Sequence, residues 1–206
     1  MLEAMQEKSV TAGGEIRRLE EPFFVLATQN PIDQEGTYPL PEAQLDRFFF
    51  KLVVTYPSEA ELTEVLTRTT EGAKIQVHRV LTRTAILELQ SLVREVPVAS
   101  HVKNYAVRLV LATHPKTETA SPVSNQYLRF GSSPRGAQCL LLGAKVRALM
   151  QGRFNVSFDD IEAVALPALR HRLILNFEAD AEGVTSDIIV KQILQDVPRD
   201  AALAKV

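Results

Sequence analysis

The 206 residues are 46% hydrophobic and 23% charged, which is ordinary for a folded globular protein and argues against disorder along the whole chain. The 23 basic and 25 acidic residues give a net charge of -2, so no global field favours nucleic acid or an anionic membrane, and no run reaches the roughly 18 apolar residues of a membrane span. A single cysteine, Cys139, excludes an internal disulfide framework and fits a reducing compartment, so a cytoplasmic location is expected.

The first 56 residues predict a small α/β region. Residues 1–8 have the periodicity of the last turns of a helix, and Gly13-Gly14 between two short runs predicts a β-hairpin over residues 9–19. The apolar runs at 23–28 and 48–54 predict two buried strands. Between these strands we expect a loop rich in proline and glycine, followed by a short helical turn that ends at Arg47.

From Ser58 onwards the sequence has the pattern of amphipathic helices. Ser58 and Glu61 predict a capping box, and Gly72 predicts the end of that helix. Further helices are expected at 86–96, at 102–114, at 134–152, after Ser157 and after Thr185. Residues 115–133 predict a polar loop, and Pro167 predicts a kink or a restart in the helix that follows Ser157. The expected fold is an α/β remnant of two strands plus a β-hairpin, followed by an all-α domain.

Two side chains in the N-terminal region point to nucleotide hydrolysis. The strand at 23–28 ends in Thr28-Gln29-Asn30-Pro31 and would bring an amide to the sheet edge, where ligands of open α/β sheets bind. An amide can orient an attacking water, and the guanidinium of Arg47 suits a phosphate. The sequence contains no G-x-x-x-x-G-K-[ST] loop, so the backbone cradle, lysine and hydroxyl of a P-loop are absent from these 206 residues.

Five sequence stretches carry a resemblance to a known family. They are Leu2 to Glu7 (LEAMQE), Ala27 to Pro31 (ATQNP), Gly36 to Phe48, Gly131 to Gly136 (GSSPRG) and Arg170 to Phe177 (RHRLILNF). Through them the chain closely resembles the MoxR family of AAA+ ATPases over nearly its whole length. The resemblance implies that residues 1–56 are the C-terminal part of a P-loop AAA+ core and that residues 57–206 are its helical lid domain. It also implies that the P-loop and the acidic Walker B strand lie upstream of Met1, so this chain alone is expected to be inactive as an ATPase.

The resemblance implies roles for two catalytic residues. Asn30 matches the sensor 1 position, although an asparagine before a proline also commonly forms a strand-to-loop turn. Arg47 matches the arginine finger, which acts in trans on the nucleotide of a neighbouring subunit. The alternative for Arg47 is a surface ion pair with Asp46 or Glu42.

The resemblance also assigns a phosphate contact and a client contact. Arg135 matches sensor 2, which binds an ATP phosphate; it follows Pro134 in the first turn of a helix, where a cation is locally unfavourable and an anionic partner would offset the cost. Whether it acts in cis or in trans stays open, and an ordinary exposed arginine is the alternative. Arg17 and Arg18 lie on the presensor hairpin, where they either contact a client chain or form a solvated charge pair.

Other candidate sites are weaker. The four histidines lack the spacing of a zinc site, and Asp33 and Glu35 lack the ligand spacing of an EF-hand, so no metal ligands are expected. Cys139 lies among apolar residues of a helix, which favours a packed, inert thiol.

The resemblance implies an intact protein that binds ATP and Mg²⁺, assembles into a ring oligomer, expected to be a hexamer, and remodels or matures protein complexes in a chaperone-like way. The expected partners are copies of itself or intact relatives and a protein client, with no nucleic acid and no membrane insertion. One alternative is a non-catalytic interaction module. Another is a magnesium-chelatase-like or helicase-like AAA+ relative, although the sequence lacks the basic stripe of a DNA-binding protein.

Overall fold

Helices dominate the described part of the protein, and two small antiparallel sheets accompany them there. The computed structural model describes residues 2–29, 40–71 and 76–200. The helices are α1 Leu2–Glu7, α2 Glu42–Leu45, α3 Glu59–Thr70, α4 Arg83–Glu95, α5 Ser100–Ala112, α6 Pro122–Tyr127, α7 Pro134–Met150, α8 Phe158–Leu169, α9 Phe177–Glu182 and α10 Ser186–Asp196. The strands are β1 Ser9–Ala12, β2 Glu15–Arg18, β3 Leu128–Phe130 and β4 Ile174–Leu175. Among the described residues, no helix combines the length and the apolar character that crossing a membrane requires.

The N-terminal hairpin confirms the prediction from its two glycines. β1 pairs with β2 in antiparallel register, with Val10 opposite Arg17 and Ala12 opposite Glu15. Gly13 and Gly14 both have positive φ angles, +62° and +81°, as a two-residue primed turn requires. The preceding helical stub is α1, which also agrees with the sequence.

The prediction of strands at 23–28 and 48–54 is wrong for the structure described. Both segments lack a β-ladder, and within the described residues the ladders join only β1 to β2 and β3 to β4. Phe24, Leu26 and Val54 are 76%, 84% and 92% exposed. A strand needs a neighbour to accept its backbone hydrogen bonds, and none of the described strands lies beside these two segments. Their apolar character therefore predicts a buried position that the described contacts do not provide.

The helical part follows the predicted caps closely. Ser58 caps α3 with the expected box, in which the Glu61 carboxylate accepts the Ser58 N–H at 2.8 Å, and Ser133, Ser157 and Thr185 cap α7, α8 and α10. Gly72, expected to end α3, lies outside the described residues. The expected restart at Pro167 is wrong, because α8 continues unbroken to Leu169. Pro167 lies in the last turn of α8, and the helix continues past it although proline lacks the N–H that would bond to the carbonyl oxygen of Ala163.

Two short β-strands and two short helices were not expected from the sequence. The stretch 115–133, predicted as a polar loop, contains α6 and β3, and the stretch before Thr185 contains β4 and α9. β3 and β4 pair with each other, Leu128 opposite Leu175 and Phe130 opposite Ile174, and hold the two ends of this region together. Elements of two to six residues are too short for hydrophobic periodicity to reveal.

The core lies among α5, α7, α8 and α10. The largest fully buried apolar side chains come from these four helices: Tyr105, Leu109, Leu140, Ile161, Leu169, Ile189 and Ile193. α7 and α8 form the most extensive helix pair. A Cβ on Gly143 of α7 would lie 2.9 Å from Phe50 Cζ, so the missing side chain lets the segment after α2 pack closely on α7. The core therefore fixes residues near Phe50 against the helical domain.

Candidate functional site

Buried Arg172, which follows α8, is hydrogen-bonded to the segment of residues 46–49 that follows α2. The Arg172 side chain is 0% exposed, and its guanidinium donates to the carbonyl oxygens of Asp46 at 2.9 Å, Phe48 at 2.7 Å and Phe49 at 3.3 Å, and to that of Ala168. Arginine suits this place because its planar fork carries several donors in fixed directions. The backbone from residue 46 to residue 49 is thus held by a single side chain of the helical domain.

Asp46 is the carboxylate at the centre of this junction. Its Oδ1 accepts from Ser133 Oγ at 2.7 Å and lies 3.2 Å from Arg172 Nε, and its Oδ2 accepts from Arg135 Nη1 at 2.9 Å. Burial alone would raise the pKa of Asp46, but the hydrogen bonds from Ser133 and Arg135 and the charge of Arg172 outweigh it and hold the pKa below the usual value. Asp46 therefore stays ionised and joins two arginines of the helical domain.

The start of α7 brings Arg135 to this carboxylate. Ser133 is the N-cap and accepts the Arg135 N–H at 3.2 Å, while Pro134 occupies the first helical position. Gly136 leaves room for the Ser132 hydroxyl, since a Cβ at position 136 would lie 2.1 Å from Ser132 Oγ. The sequence Ser-Pro-Arg-Gly thus begins a helix, projects an arginine from its first turn and leaves room for the preceding turn.

His171 adds a second buried contact to the same backbone. Its Nε2 lies 3.0 Å from the carbonyl oxygen of Phe48 and 2.8 Å from Arg172 Nη1. Burial and the adjacent Arg172 charge lower its pKa to about 4, so the ring is neutral near pH 7. Arg170 extends the junction by donating to the Lys51 carbonyl oxygen at 3.2 Å.

Arg47 follows Asp46 directly but takes no part in these bonds. Its Nε donates to the carbonyl oxygen of Ala43 at 3.3 Å, and its Nη1 is buried without a hydrogen-bond partner in the part of the chain that the structure describes. No ion pair to Asp46 or Glu42 is seen for Arg47 among those residues. A buried donor without a partner is costly, so the described contacts leave this guanidinium incompletely satisfied.

Two regions of the chain match families of known proteins. Residues 1–50 match the ATPase family associated with various cellular activities (AAA), and residues 121–193 match the AAA lid domain. The chain is 41% identical over 96% of its length to the uncharacterized protein YeaC of Bacillus subtilis, of which it covers 59%. It is 38% identical over 96% of its length to the chaperone MoxR1 of Mycobacterium tuberculosis, of which it covers 52%. The chain belongs to the MoxR family of AAA+ ATPases.

A solved structure agrees with this membership. The crystal structure of an ATPase candidate from Cytophaga hutchinsonii superposes with a TM-score of 0.88 at 40% identity, covering 96% of this chain and 60% of that one. The MoxR-family chain described here thus spans between about half and three fifths of the length of the relatives it matches.

The structure brings some of the sequence-predicted site residues together and leaves others apart. Arg135 and Arg47 lie at one junction, since Arg135 is bonded to the residue that precedes Arg47. Arg17 and Arg18 lie on β2 of the hairpin, where Arg17 is 3.5 Å from Glu15. Asn30, the sensor 1 candidate, lies outside the described residues.

Asp46, Ser133 and Arg172 are among the residues of the junction that were not singled out in the sequence as site residues. Ser133 carries a local signal, because a serine before a proline predicts an N-cap. Asp46 and Arg172 are 126 positions apart, and only the folded chain shows that they meet. A buried charge requires a partner, but sequence alone does not identify that partner.

The donor set fits a phosphate better than a metal ion. Across the described residues, no group of three or more histidine, cysteine, aspartate or glutamate side chains could hold a metal. Cys139 is buried 3.3 Å from Arg172 Nη2, and burial raises the pKa of its thiol, which agrees with the predicted inert role. The exposed group of this site with phosphate-binding chemistry is the Arg135 guanidinium, which can neutralise phosphate oxygens.

Proposed function

We propose that this chain is the part of a MoxR-type AAA+ ATPase that carries its arginine finger, its sensor 2 arginine and its lid. Residues 1–56 form the end of the AAA+ core and residues 57–206 form the lid domain. The intact protein hydrolyses ATP in a ring, a hexamer in this proposal, and uses the energy to remodel or mature protein complexes. Support comes from the family membership and from the name of one relative, the chaperone MoxR1.

One observation carries the proposal: Arg47 and Arg135 belong to one connected junction. Asp46 is covalently bound to Arg47 and accepts a hydrogen bond from Arg135 at 2.9 Å. Arg47 has a buried nitrogen without a described partner, and the Arg135 side chain is 47% exposed. Two guanidinium groups held in this way suit the charge that spreads over phosphate oxygens during phosphoryl transfer. We assign Arg47 as the arginine finger and Arg135 as sensor 2 on this basis.

The described residues offer donors for the phosphates of ATP but no ligand cluster for Mg²⁺. The phosphates of ATP fit the unsatisfied Arg47 nitrogen and the exposed Arg135 guanidinium, which would neutralise charge and orient the γ-phosphate. For Mg²⁺ the described part of the chain offers no ligand cluster. When bound, ATP supplies the phosphoryl group whose transfer to water releases the energy, and the two arginines bind and position it.

The remaining assignments rest on the family. Asn30 is proposed as sensor 1, an amide that orients the attacking water without adding a charge that must be desolvated. Arg17 and Arg18 are proposed as client contacts on the hairpin, whose Ile16 is 74% exposed between its strand neighbours. A protein client, rather than nucleic acid, agrees with the net charge of -2.

Calorimetry and turnover measurements test the proposal. The 206-residue chain is titrated with Mg-ATP beside a version preceded by a P-loop segment of a close relative. We expect heat of binding and ATP turnover from the extended protein only, because the chain itself contains no P-loop. Tight Mg-ATP binding by the short chain would contradict this division of roles. An extended protein that binds ATP but never hydrolyses it would favour a non-catalytic interaction module.

Mixing experiments separate the trans-acting arginine from a structural one. In the extended protein, Arg47→Ala should lower ATP turnover by roughly 10³-fold or more and leave ATP binding intact. Rings mixed from Arg47→Ala subunits and P-loop-defective subunits should recover part of the activity, because each supplies what the other lacks. Arg68→Ala, which removes an exposed arginine paired with Glu64 on α3, is the matched control and should leave turnover unchanged. Absence of recovery in the mixed rings would rule out action in trans.

A further inference from the structure

A basic cleft lies along β3, apart from the Asp46 junction. It has a volume of about 650 Å³, which is within the range of sites that bind small molecules or short peptide segments. None of the residues that line it belongs to the cluster of Asp46, Arg135 and Arg172. Lys116, Asn125, Arg129 and Phe130 are among the residues that line it.

The charge on the cleft wall is one-sided. Lys116 and Arg129 both line the cleft, and no carboxylate is among its lining residues. Within the described ranges neither cation forms an ion pair, whereas ten other basic residues of the chain do: Lys8, Arg17, Arg68, Arg83, Arg135, Arg147, Arg153, Arg170, Arg172 and Arg199. Unpaired cations on a concave wall focus a positive potential into the cleft. Charge complementarity therefore favours an anionic occupant.

The Arg129 side chain and the Lys116 backbone are both fixed at the cleft wall. The Arg129 guanidinium carbon lies 5.1 Å from the centre of the Phe130 ring, within the range of a cation–π contact. Lys116 has φ of +62°, a conformation that is uncommon for a residue with a side chain, and its N–H donates to Asn125 Oδ1 at 2.7 Å. Backbone strain of this kind is concentrated at functional sites.

The backbone beside these cations offers a place for an extended chain. All three residues of β3 line the cleft, and the two-stranded sheet pairs β3 with β4 alone. One edge of β3 is thus without a neighbouring strand among the described residues. An extended peptide can add to such an edge through main-chain hydrogen bonds, while pockets for alternate side chains provide specificity. A free phosphate ion would use the cations but not the strand edge or the exposed face of Phe130, which is 52% exposed.

We propose that this cleft binds an extended, acidic segment of a protein partner. The segment lies along β3, its carboxylates contact Lys116 and Arg129, and an apolar side chain packs on Phe130. The site does not depend on nucleotide, so it can be tested separately from ATP hydrolysis. Its failure and the failure of the proposed ATPase function are therefore distinguishable.

Fluorescence anisotropy with a designed probe tests the proposal. The full 206-residue chain is titrated into a fluorescein-labelled short peptide of alternating glutamate and valine, and into the same peptide with glutamine in place of glutamate. We expect binding of the glutamate peptide that weakens with added salt, and roughly tenfold weaker binding of the glutamine peptide. No binding of the glutamate peptide, or equal binding of both peptides, would overturn the proposal.

Matched variants then locate the binding. Lys116→Gln with Arg129→Gln should weaken binding of the glutamate peptide by about tenfold or more. The control, Lys103→Gln with Lys191→Gln, removes the same charge from exposed positions on α5 and α10 and should change binding by less than about twofold. Circular dichroism confirms that both variants are folded. An equal loss of peptide binding in both variants would mean that the peptide is attracted to the charge of the whole protein rather than to the cleft, and would overturn the proposal.

Two further measurements decide between a peptide and a small anion. Amide signals of Leu128 to Phe130 should shift in nuclear magnetic resonance spectra when the glutamate peptide is added, because the peptide backbone bonds to β3. Inorganic phosphate at the same ionic strength as a chloride control should compete no better than chloride. Specific competition by phosphate, or unshifted β3 amides, would identify a simple anion site and would overturn the assignment to a peptide.

Discussion

Arg172→Met is the substitution that most directly tests the junction. Methionine has a similar length and no donors, so the change removes the guanidinium while filling much of its space. The carbonyl oxygens of Asp46, Phe48 and Phe49 lose their donor, and the Asp46 carboxylate loses a cation 3.2 Å away. Since the Arg172 side chain is 0% exposed, water does not replace these contacts unless the segment moves away from the helical domain.

The expected loss is large because one partner of a buried pair is removed. Breaking such a pair costs about 3–5 kcal/mol, since the remaining charge is left in a poorly solvated place. The free energy lost at the carbonyl oxygens of residues 46–49 would be partly recovered as this backbone relaxes. It is therefore not added to the cost of the broken ion pair. Arg172→Lys keeps the charge but not the fork of donors, and should lose less stability than Arg172→Met.

Urea unfolding followed by circular dichroism measures the effect. The matched control is Arg68→Met, which removes an exposed arginine whose Nε lies 2.6 Å from Glu64 on the same helix and should cost less than about 0.5 kcal/mol. A free energy of unfolding for Arg172→Met within about 1 kcal/mol of the control would refute the idea that this side chain holds the junction together. A double-mutant cycle with Asp46→Asn should give a coupling energy of about 1–3 kcal/mol.

Three further predictions concern residues of the same region. His171→Gln should flatten the pH dependence of the free energy of unfolding. Burial lowers the pKa of His171 from 6.5 to about 4, so the stability that the neutral ring contributes is complete above pH 6.5 and is lost as the pH falls towards 4. Urea titrations of the wild type should show this loss, of up to about 3 kcal/mol, and titrations of the variant should not. Gly131→Ala should cost about 1–3 kcal/mol in the same assay, because its Cβ would lie 2.4 Å from the backbone oxygen of Thr113. Arg135→Gln should cost less than about 1 kcal/mol, as for an exposed ion pair; a cost equal to that of Arg172→Met would make Arg135 a structural residue.

Local signals in the sequence predicted the local structure well. The Ser58–Glu61 capping box, the Ser133 and Ser157 caps and the Gly13–Gly14 turn all lie where the residue types indicated. Each of these features depends on atoms within a few positions of one another, which makes it readable from a short stretch.

Predictions that depend on distant partners were less successful. The apolar runs at 23–28 and 48–54 were interpreted as strands, but a strand is completed by its neighbour, and no described strand pairs with either. In the candidate site, Arg135 was singled out because it matches a family motif and lies in the first turn of a helix. The role of Arg172 depends on contacts with Asp46 and Phe48, more than a hundred positions away. Long-range pairing of this kind leaves no periodic trace in the sequence.

The different burial of the two arginines that share Asp46 indicates how the junction could serve the proposed function. Arg172 is fully buried, and exchanging its partners would require the segment around Phe48 to separate from α8. Arg135 is 47% exposed, and an ion pair of that kind holds its partner by at most about 1 kcal/mol, so a phosphate with more than one negative charge can displace Asp46 at little cost. Release of Arg135 would leave Asp46 still bound to Ser133 and close to Arg172, so the backbone that carries Arg47 would stay in place. Arg135 can therefore leave Asp46 and bind a ligand while the backbone that carries Arg47 keeps its position.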